Sequence, residues 1–379
     1  MANQVQTQVE AGVVKFVAEG EDEKKKNWLP TSLDILDNKA PSPHELTSAQ
    51  LAQAKAADID HIQWTKVSAF CRSGVGSAGV FFVKVPEGVA VVKGCDSVVE
   101  EVFAALLAER VGIRVPRVRV LEYTSREWRQ AKWAIRSKAE AADPTGVDAL
   151  KVEKELDRPF IMVMEFVKGK DLEQLGPQAK SLFESPDGPR LFREMGRLVC
   201  LDIVTNNWDR LPIIWDNDGN FRNLYLEQRE GKDHHRTKWS VVGIDQGITA
   251  VKREVHPEGH DKYMSRVESL VVHIATRPGE EAEELQRFRD CIRTELAIDL
   301  RPSDSLEIQA GILETVKEFA KLEEKDLVEM KHKVEHMIRT DWADVWAKGL
   351  ESIHIPMLMD VIDIYKRALS LPPQPAATK

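Results

Sequence analysis

Cysteine is scarce. Cys71, Cys95, Cys200 and Cys291 lie far apart in 379 residues and form no CxxC pair, which argues against a zinc site or a disulfide framework. That usage fits a reducing cytoplasm. Long hydrophobic runs are missing too: no stretch of 18 or more apolar residues occurs, so no membrane span is expected. The opening residues Met1 to Gln6 carry no basic segment leading into an apolar core, so no secretory signal is expected. Positive charge is in deficit, with 53 Lys and Arg against 62 Asp and Glu, a formal net charge of −9. An acidic chain is a poor partner for nucleic acid or an anionic membrane through its overall field, although a local basic pocket for phosphates is compatible with it. No segment recurs at intervals of roughly 20–50 residues, which sets aside solenoids and propellers.

What is present is a globular composition, 42% hydrophobic and 30% charged, long enough for two structural units or one bilobed unit. Residues 1–60 read as an extension, with one strand signal at Val13 to Val17, a charged run at Glu19 to Lys26 and loop signals at Pro41 and Pro43. Residues 61–167 are rich in strand signals: Trp64 to Cys71, Val80 to Val85, Val89 to Val92, Val115 to Tyr123 and Phe160 to Val167. One helix, Ser97 to Val111, interrupts them, and Arg126 to Ala142 forms a helical insert stopped by Asp143-Pro144. This order predicts an α+β fold with a mostly antiparallel sheet and one long helix. Residues 168–370 are mainly helical, with short strands at Asn223 to Leu226 and Trp239 to Ile244, and residues 371–379 read as a disordered tail. The nine tryptophans are scattered and read as packing residues, and His234-His235 as part of an exposed loop.

Several groups along this order can carry chemistry. Gly74-Val-Gly76-Ser77-Ala-Gly79 is a GxGxxG between strand-like runs. Glycines let backbone amides approach phosphate oxygens, and a following β-hairpin favours a loop folded over ATP rather than a dinucleotide turn. Lys93 closes an apolar strand, where an ammonium needs a partner, and reads as a cation for the α- and β-phosphates. Its orienter is Glu100 or Glu101 on the next helix. With Ser97 as N-cap, Glu100 would complete a capping box, leaving Glu101 as the better ion-pair candidate. The segment Asn206-Asn-Trp-Asp209-Arg210-Leu-Pro212 breaks a long amphipathic helix, and Asp209 could accept or orient the proton of an attacking hydroxyl. Asn223 opens a strand and Asp245 ends one, just before Gly247. Together they supply an amide oxygen and a carboxylate of the kind that hold Mg²⁺ beside phosphates. Taken in order, these are the parts of a phosphoryl-transfer site.

The combination Asn206-Asn-Trp-Asp209-Arg210-Leu-Pro212, Gly219-Asn-Phe-Arg-Asn223-Leu and Ile244-Asp245-Gln-Gly247 resembles the actin-fragmin kinase catalytic domain. That family is an atypical protein kinase related in fold to protein kinases and phosphatidylinositol kinases, and the resemblance spans about residues 60 to 370. It implies a bilobed kinase-like fold that uses ATP and Mg²⁺ to phosphorylate Ser or Thr of a protein, actin or an actin-binding protein complex. By the same resemblance, Gly74, Gly76, Ser77 and Gly79 cover the phosphates, Lys93 binds nucleotide with Glu101 as its partner, and Glu165, Phe166 and Val167 form the linker whose backbone holds adenine. Asp209 is the catalytic aspartate, Asn223 and Asp245 are metal ligands, and Arg210 orients the loop or touches phosphate. The chain departs from ordinary protein kinases in placing the arginine after Asp209 and Gln246 where DFG has Phe, and in having no APE segment. Alternative readings are a small-molecule or inositol-lipid kinase on the same fold and a nucleotide-binding pseudokinase.

Overall fold

The computed structural model describes residues 44–73, 79–123, 125–143, 145–230, 237–339 and 343–374. The first lobe holds strands β1 (Ala69–Arg72), β2 (Gly79–Val85), β3 (Gly88–Gly94), β4 (Val118–Glu122) and β5 (Phe160–Glu165). They form one sheet in the order β1-β2-β3-β5-β4, antiparallel at every step. Four helices accompany it: α1 (Ser48–Gln53), α2 (Val98–Arg110), α3 (Arg126–Ala142) and α4 (Val147–Leu156).

The sheet is covered on both faces, which is why Phe160-Ile-Met-Val-Met164 of β5 is a continuous apolar run rather than an alternating one. Phe81, Val83, Val92, Ile161 and Val163 pack with Trp128, Ile135, Val152 and Leu156 of α3 and α4. Phe160, Met162 and Met164 belong to a second cluster with Phe103 and Leu107 of α2, and that cluster continues into the other lobe.

The second lobe contains β6 (Gly169–Asp171), α5 (Leu172–Leu175), α6 (Gln178–Phe183), α7 (Gly188–Thr205), β7 (Leu224–Glu230), β8 (Thr237–Gly243) and helices α8 (Pro257–Thr276), α9 (Glu283–Leu296), α10 (Pro302–Phe319), α11 (Glu324–Glu335), α12 (Ala343–Leu350) and α13 (Ile355–Ser370). Strands β6, β7 and β8 make a small antiparallel sheet. The fold is the expected α+β arrangement, a lobe built on an antiparallel sheet followed by a mainly helical lobe. Among the described residues no helix is long and apolar enough to cross a membrane.

Several expectations change in detail. The first lobe has two inserted helices, α3 and α4, rather than one; α4 is a short amphipathic segment that a strand-rich context hides. The strand expected from Trp64 shrinks to Ala69–Arg72, because Trp64–Lys66 is a 3₁₀ turn whose Trp64 Nε1 donates to Glu127 Oε1 at 2.8 Å. Helix α11 ends at Glu335. Within the expected extension, residues 44–60 dock on the first lobe. Leu46 N donates to Phe70 O at 2.9 Å, Phe70 N to His44 O at 3.0 Å, and Ala57 and Ile59 are buried in the first-lobe core. In the tail, Gln374 N donates to Thr276 O at 2.8 Å. The strand signal at Val13 to Val17, His234-His235 and residues 375–379 lie outside the described residues.

Helices α7 and α10 cross at two glycines. A Cβ at Gly196 would lie 2.0 Å from the Ile308 carbonyl oxygen, and one at Gly311 would lie 2.0 Å from the Arg193 carbonyl oxygen. Only backbone fits there, so this crossing fixes the helix that leads into the Asn206–Pro212 segment. Alanine is the better helix former by about 1 kcal/mol. Gly311→Ala is nevertheless expected to destabilise the protein by about 1–3 kcal/mol through overpacking. Chemical denaturation measures it, and an unchanged or raised midpoint contradicts the close crossing.

Candidate active site

The roof of the site is built on β3 and α2. Lys93, near the end of β3, donates from Nζ to Glu101 Oε1 at 2.6 Å and also pairs with Asp245. The ammonium is almost fully buried, as is Glu101. Burial disfavours the charge on Lys93, but Glu101 and Asp245 outweigh it and hold the ammonium above its ordinary value. Burial pushes the Glu101 carboxyl up to about 7, against the pull of Lys93.

Glu101 is the partner expected from sequence, but not for the expected reason. Ser97 makes no capping bond to the helix backbone. Its hydroxyl donates to Glu101 Oε1 at 3.4 Å, and Glu100 accepts instead from Ser352 Oγ at 2.8 Å, on the far side of the chain in sequence.

The floor begins where α7 ends. Asn206 takes the left-handed conformation with φ 50°, Asn206 N reaches Ile203 O at 3.4 Å and Asn207 N reaches Asp202 O at 2.8 Å, which closes the helix in a Schellman turn. Asn206 is held there by Trp215 Nε1 at 2.9 Å and by its own bond to Thr249 O at 3.0 Å. The chain then runs into Asp209. Its Oδ2 accepts from Asn223 Nδ2 at 3.1 Å and from Asn220 Nδ2 at 3.3 Å. Asn223 Nδ2 also donates to the Asp209 carbonyl at 2.8 Å. Burial and the nearby Asp245 charge keep the Asp209 carboxyl above its ordinary value, although Asn220 and Asn223 pull the other way.

Asp245 follows β8 and bridges the floor to the roof through Lys93. Its backbone sits at φ 58°, a left-handed conformation that costs a non-glycine residue roughly 1–2 kcal/mol. The side chain is half exposed. The donor set suits a hard divalent cation: a half-exposed carboxylate on Asp245, and an Asn223 amide whose NH₂ is spent on Asp209, so that its Oδ1 is the end left to a cation. The two carboxylates, Asp209 and Asp245, are also close enough for the charge of one to perturb the other.

Arg210 is wholly buried. Its Nη1 pairs with Asp202 of α7, Nε donates to Asn223 O at 3.1 Å, and Nη2 donates to Ile244 O at 2.8 Å and Gln246 Oε1 at 3.0 Å. Of the two roles the resemblance allows, the geometry fits orientation of the loop, since these donors are spent on protein acceptors. Asp202 was not singled out from sequence, where it is one polar residue inside an apolar helix. Burial pushes its carboxyl up to about 6, opposed by Arg210 and Asn207.

The linker residues are placed differently from one another. Glu165 N donates to Arg117 O at 2.9 Å, and the Glu165 carboxylate takes a two-pronged pair from Arg114 at 2.8 and 2.9 Å, so neither group faces a base. Phe166 and Val167 are buried between the lobes, with Phe166 edge-on to Phe82. Gly79 pairs with Gly94 across β2 and β3, and both leave room for Glu155 of α4. Gly74, Gly76 and Ser77 lie outside the described residues.

The site thus has the buried Lys93–Glu101 ion pair above and the Asp209-bearing loop below. Residues 42–316 match the family model described as actin-fragmin kinase, catalytic, and the chain belongs to that family. Three Dictyostelium discoideum proteins named as candidate actin-fragmin kinases are similar to it. The first is 27% identical over 317 residues, covering 81% of this chain and 74% of the relative. The second is 24% identical, covering 73% of this chain and 63% of the relative, and the third is 26% identical, covering 56% and 51%. The crystal structure of the Helicobacter pylori proinflammatory kinase CtkA aligns with a TM-score of 0.38 at 10% identity, over 78% of this chain and 93% of that one.

Arg210 supplies a test of how the floor is held. Arg210→Met leaves Asp202 buried without its counter-charge and should cost about 3–5 kcal/mol. Adding Asp202→Asn should return part of that loss in a double-mutant cycle read by urea unfolding. Additive losses contradict the coupling.

Proposed function

We propose that this protein transfers the γ-phosphoryl group of ATP, with Mg²⁺, to a Ser or Thr hydroxyl of a protein. The observation that carries this reading is the Lys93 ammonium bridging Glu101 and Asp245 while Asn223 joins Asp209 to the same site. Lys93 holds the α- and β-phosphates and Glu101 fixes Lys93. Asn223 and Asp245 hold Mg²⁺, which when bound neutralises charge on the phosphate oxygens. Gly74, Gly76, Ser77 and Gly79 cover the phosphates, and the backbone of Phe166 and Val167 borders adenine.

Asp209 has one oxygen committed to Asn220 and Asn223, which leaves Oδ1 to turn to the acceptor. The acceptor oxygen bonds to the γ-phosphorus, the bond from that phosphorus to the β-phosphate oxygen breaks, and the hydroxyl proton passes to Asp209. Arg210 positions Asp209, Asn223 and the residues flanking Asp245. Family membership favours actin or an actin–protein complex as the acceptor. Trp208, beside Asp209 and 49% exposed, departs from the packing role expected of the tryptophans and suits contact with a polypeptide. Four cysteines with free thiols are consistent with a cytoplasmic setting.

Labelled ATP with actin and actin-complex acceptors tests the assignment. Lys93→Met and Asp209→Asn should each remove most transfer, by about 10²-fold or more for the loss of a general base. Near-wild-type turnover in either variant rejects it.

The pH profile gives a second test. Asp209 works only when ionised, so activity falls as pH drops through its carboxyl value. Asn220→Ala removes a donor that favours the ionised form, so its acidic limb should lie at higher pH than that of the wild type at the same Mg²⁺ concentration. Coincident limbs contradict the role.

A further inference from the structure

Beside the interlobe linker lies a cavity of ≈ 200 Å³ that the proposed reaction does not use. Its walls come from both lobes: the Gly112–Arg114 segment of the first, α7 and the β7–β8 hairpin of the second. Arg197 Nη2 already ties them, donating to Gly112 O at 2.9 Å. Five cations line it, Arg114, Arg190, Arg197, Arg229 and Lys238, in a chain whose net charge is −9.

The carboxylates nearby are committed. Glu194 uses one oxygen on Arg190 and the other on Val241 N at 2.8 Å. Glu227 is shared by Arg114 and Arg229, and Glu165 is held by Arg114. Asp187 reaches Arg190 at 3.8 Å. Among the described residues no carboxylate lies within ion-pair distance of Arg197 or Lys238. Arg197 and Lys238 are therefore left without a carboxylate, and five cations against four carboxylates leave the partly enclosed space an excess of positive charge, which suits a phosphate monoester carrying about −1.5 to −2 at neutral pH. Guanidinium groups add the planar donor geometry that phosphate oxygens take.

We propose that this cavity is a second phosphate site, separate from the nucleotide cleft, that takes a phosphate monoester and clamps the two lobes across the Gly112–Arg114 segment. The group is either free or carried on a phosphorylated side chain. The site does not depend on the catalytic reading.

Calorimetric titration of the full chain with inorganic phosphate and with a short capped phosphoserine peptide, at constant ionic strength in chloride, tests it. Saturable binding is expected in wild type and equally in Lys93→Met, which separates it from the nucleotide cleft. Arg197→Gln/Lys238→Gln should weaken it by about tenfold or more. The exposed Lys238→Glu alone should also weaken it, and guards against a folding defect in the pair. Phosphate should raise the melting temperature of wild type and not of the double variant. Tighter binding of the phosphopeptide than of inorganic phosphate identifies a protein-borne group, and equal binding a free anion. Absence of saturable binding in Lys93→Met, or unchanged binding in folded Arg197→Gln/Lys238→Gln, overturns the proposal.

Discussion

One guanidinium, Arg210, holds the floor of the cleft in place. It has no exposure to water, and it touches α7 through Asp202, the start of β7 through the Asn223 carbonyl, and the end of β8 through Ile244 and Gln246. Placing a charge at such depth is costly unless its donors are matched, and here a carboxylate and three oxygens match them. Of the three groups assigned to chemistry on the floor, Asp209 is the residue before Arg210, Asn223 is itself an anchor, and Asp245 lies between the anchors Ile244 and Gln246. Their relative placement is therefore set by one side chain rather than by three independent loops.

The roof is joined to that floor by charge. Lys93 is shared between Glu101 of its own lobe and Asp245 of the other. Asp245 reaches it from a left-handed backbone that an L-residue adopts only when its surroundings compel it, and the preceding Ile244 carbonyl is held by Arg210. Asp245 is thus the carboxylate that Lys93 and a bound divalent cation would have in common.

Much of this was legible in the chain. Residue type and order single out Lys93, Asp209, Asn223 and Asp245, because each opens or closes an apolar strand or follows an amphipathic helix, where a polar group needs a reason. The bilobed α+β division followed from the change of period near residue 168. What stayed hidden depends on contacts distant in sequence. Glu100 has its partner 252 residues away at Ser352, which no local capping pattern signals, and Lys93 pairs with Glu101 although Ser97 does not cap the helix. Asp202 reads as a lone polar residue in a helix until Arg210 folds back on it. Helix α4 is short, and its role in filling the space above Gly79 and Gly94 has no signature within its own residues.

The docking of residues 44–46 beside Phe70 has a further consequence. Strand β1 is the outermost member of its sheet, and those residues occupy its open hydrogen-bonding side. A chain trimmed at residue 61, where composition alone suggests the lobe begins, would present a bare β-edge, a template onto which a second molecule could add its own strand. The short segment thus covers that edge as well as filling part of the lobe.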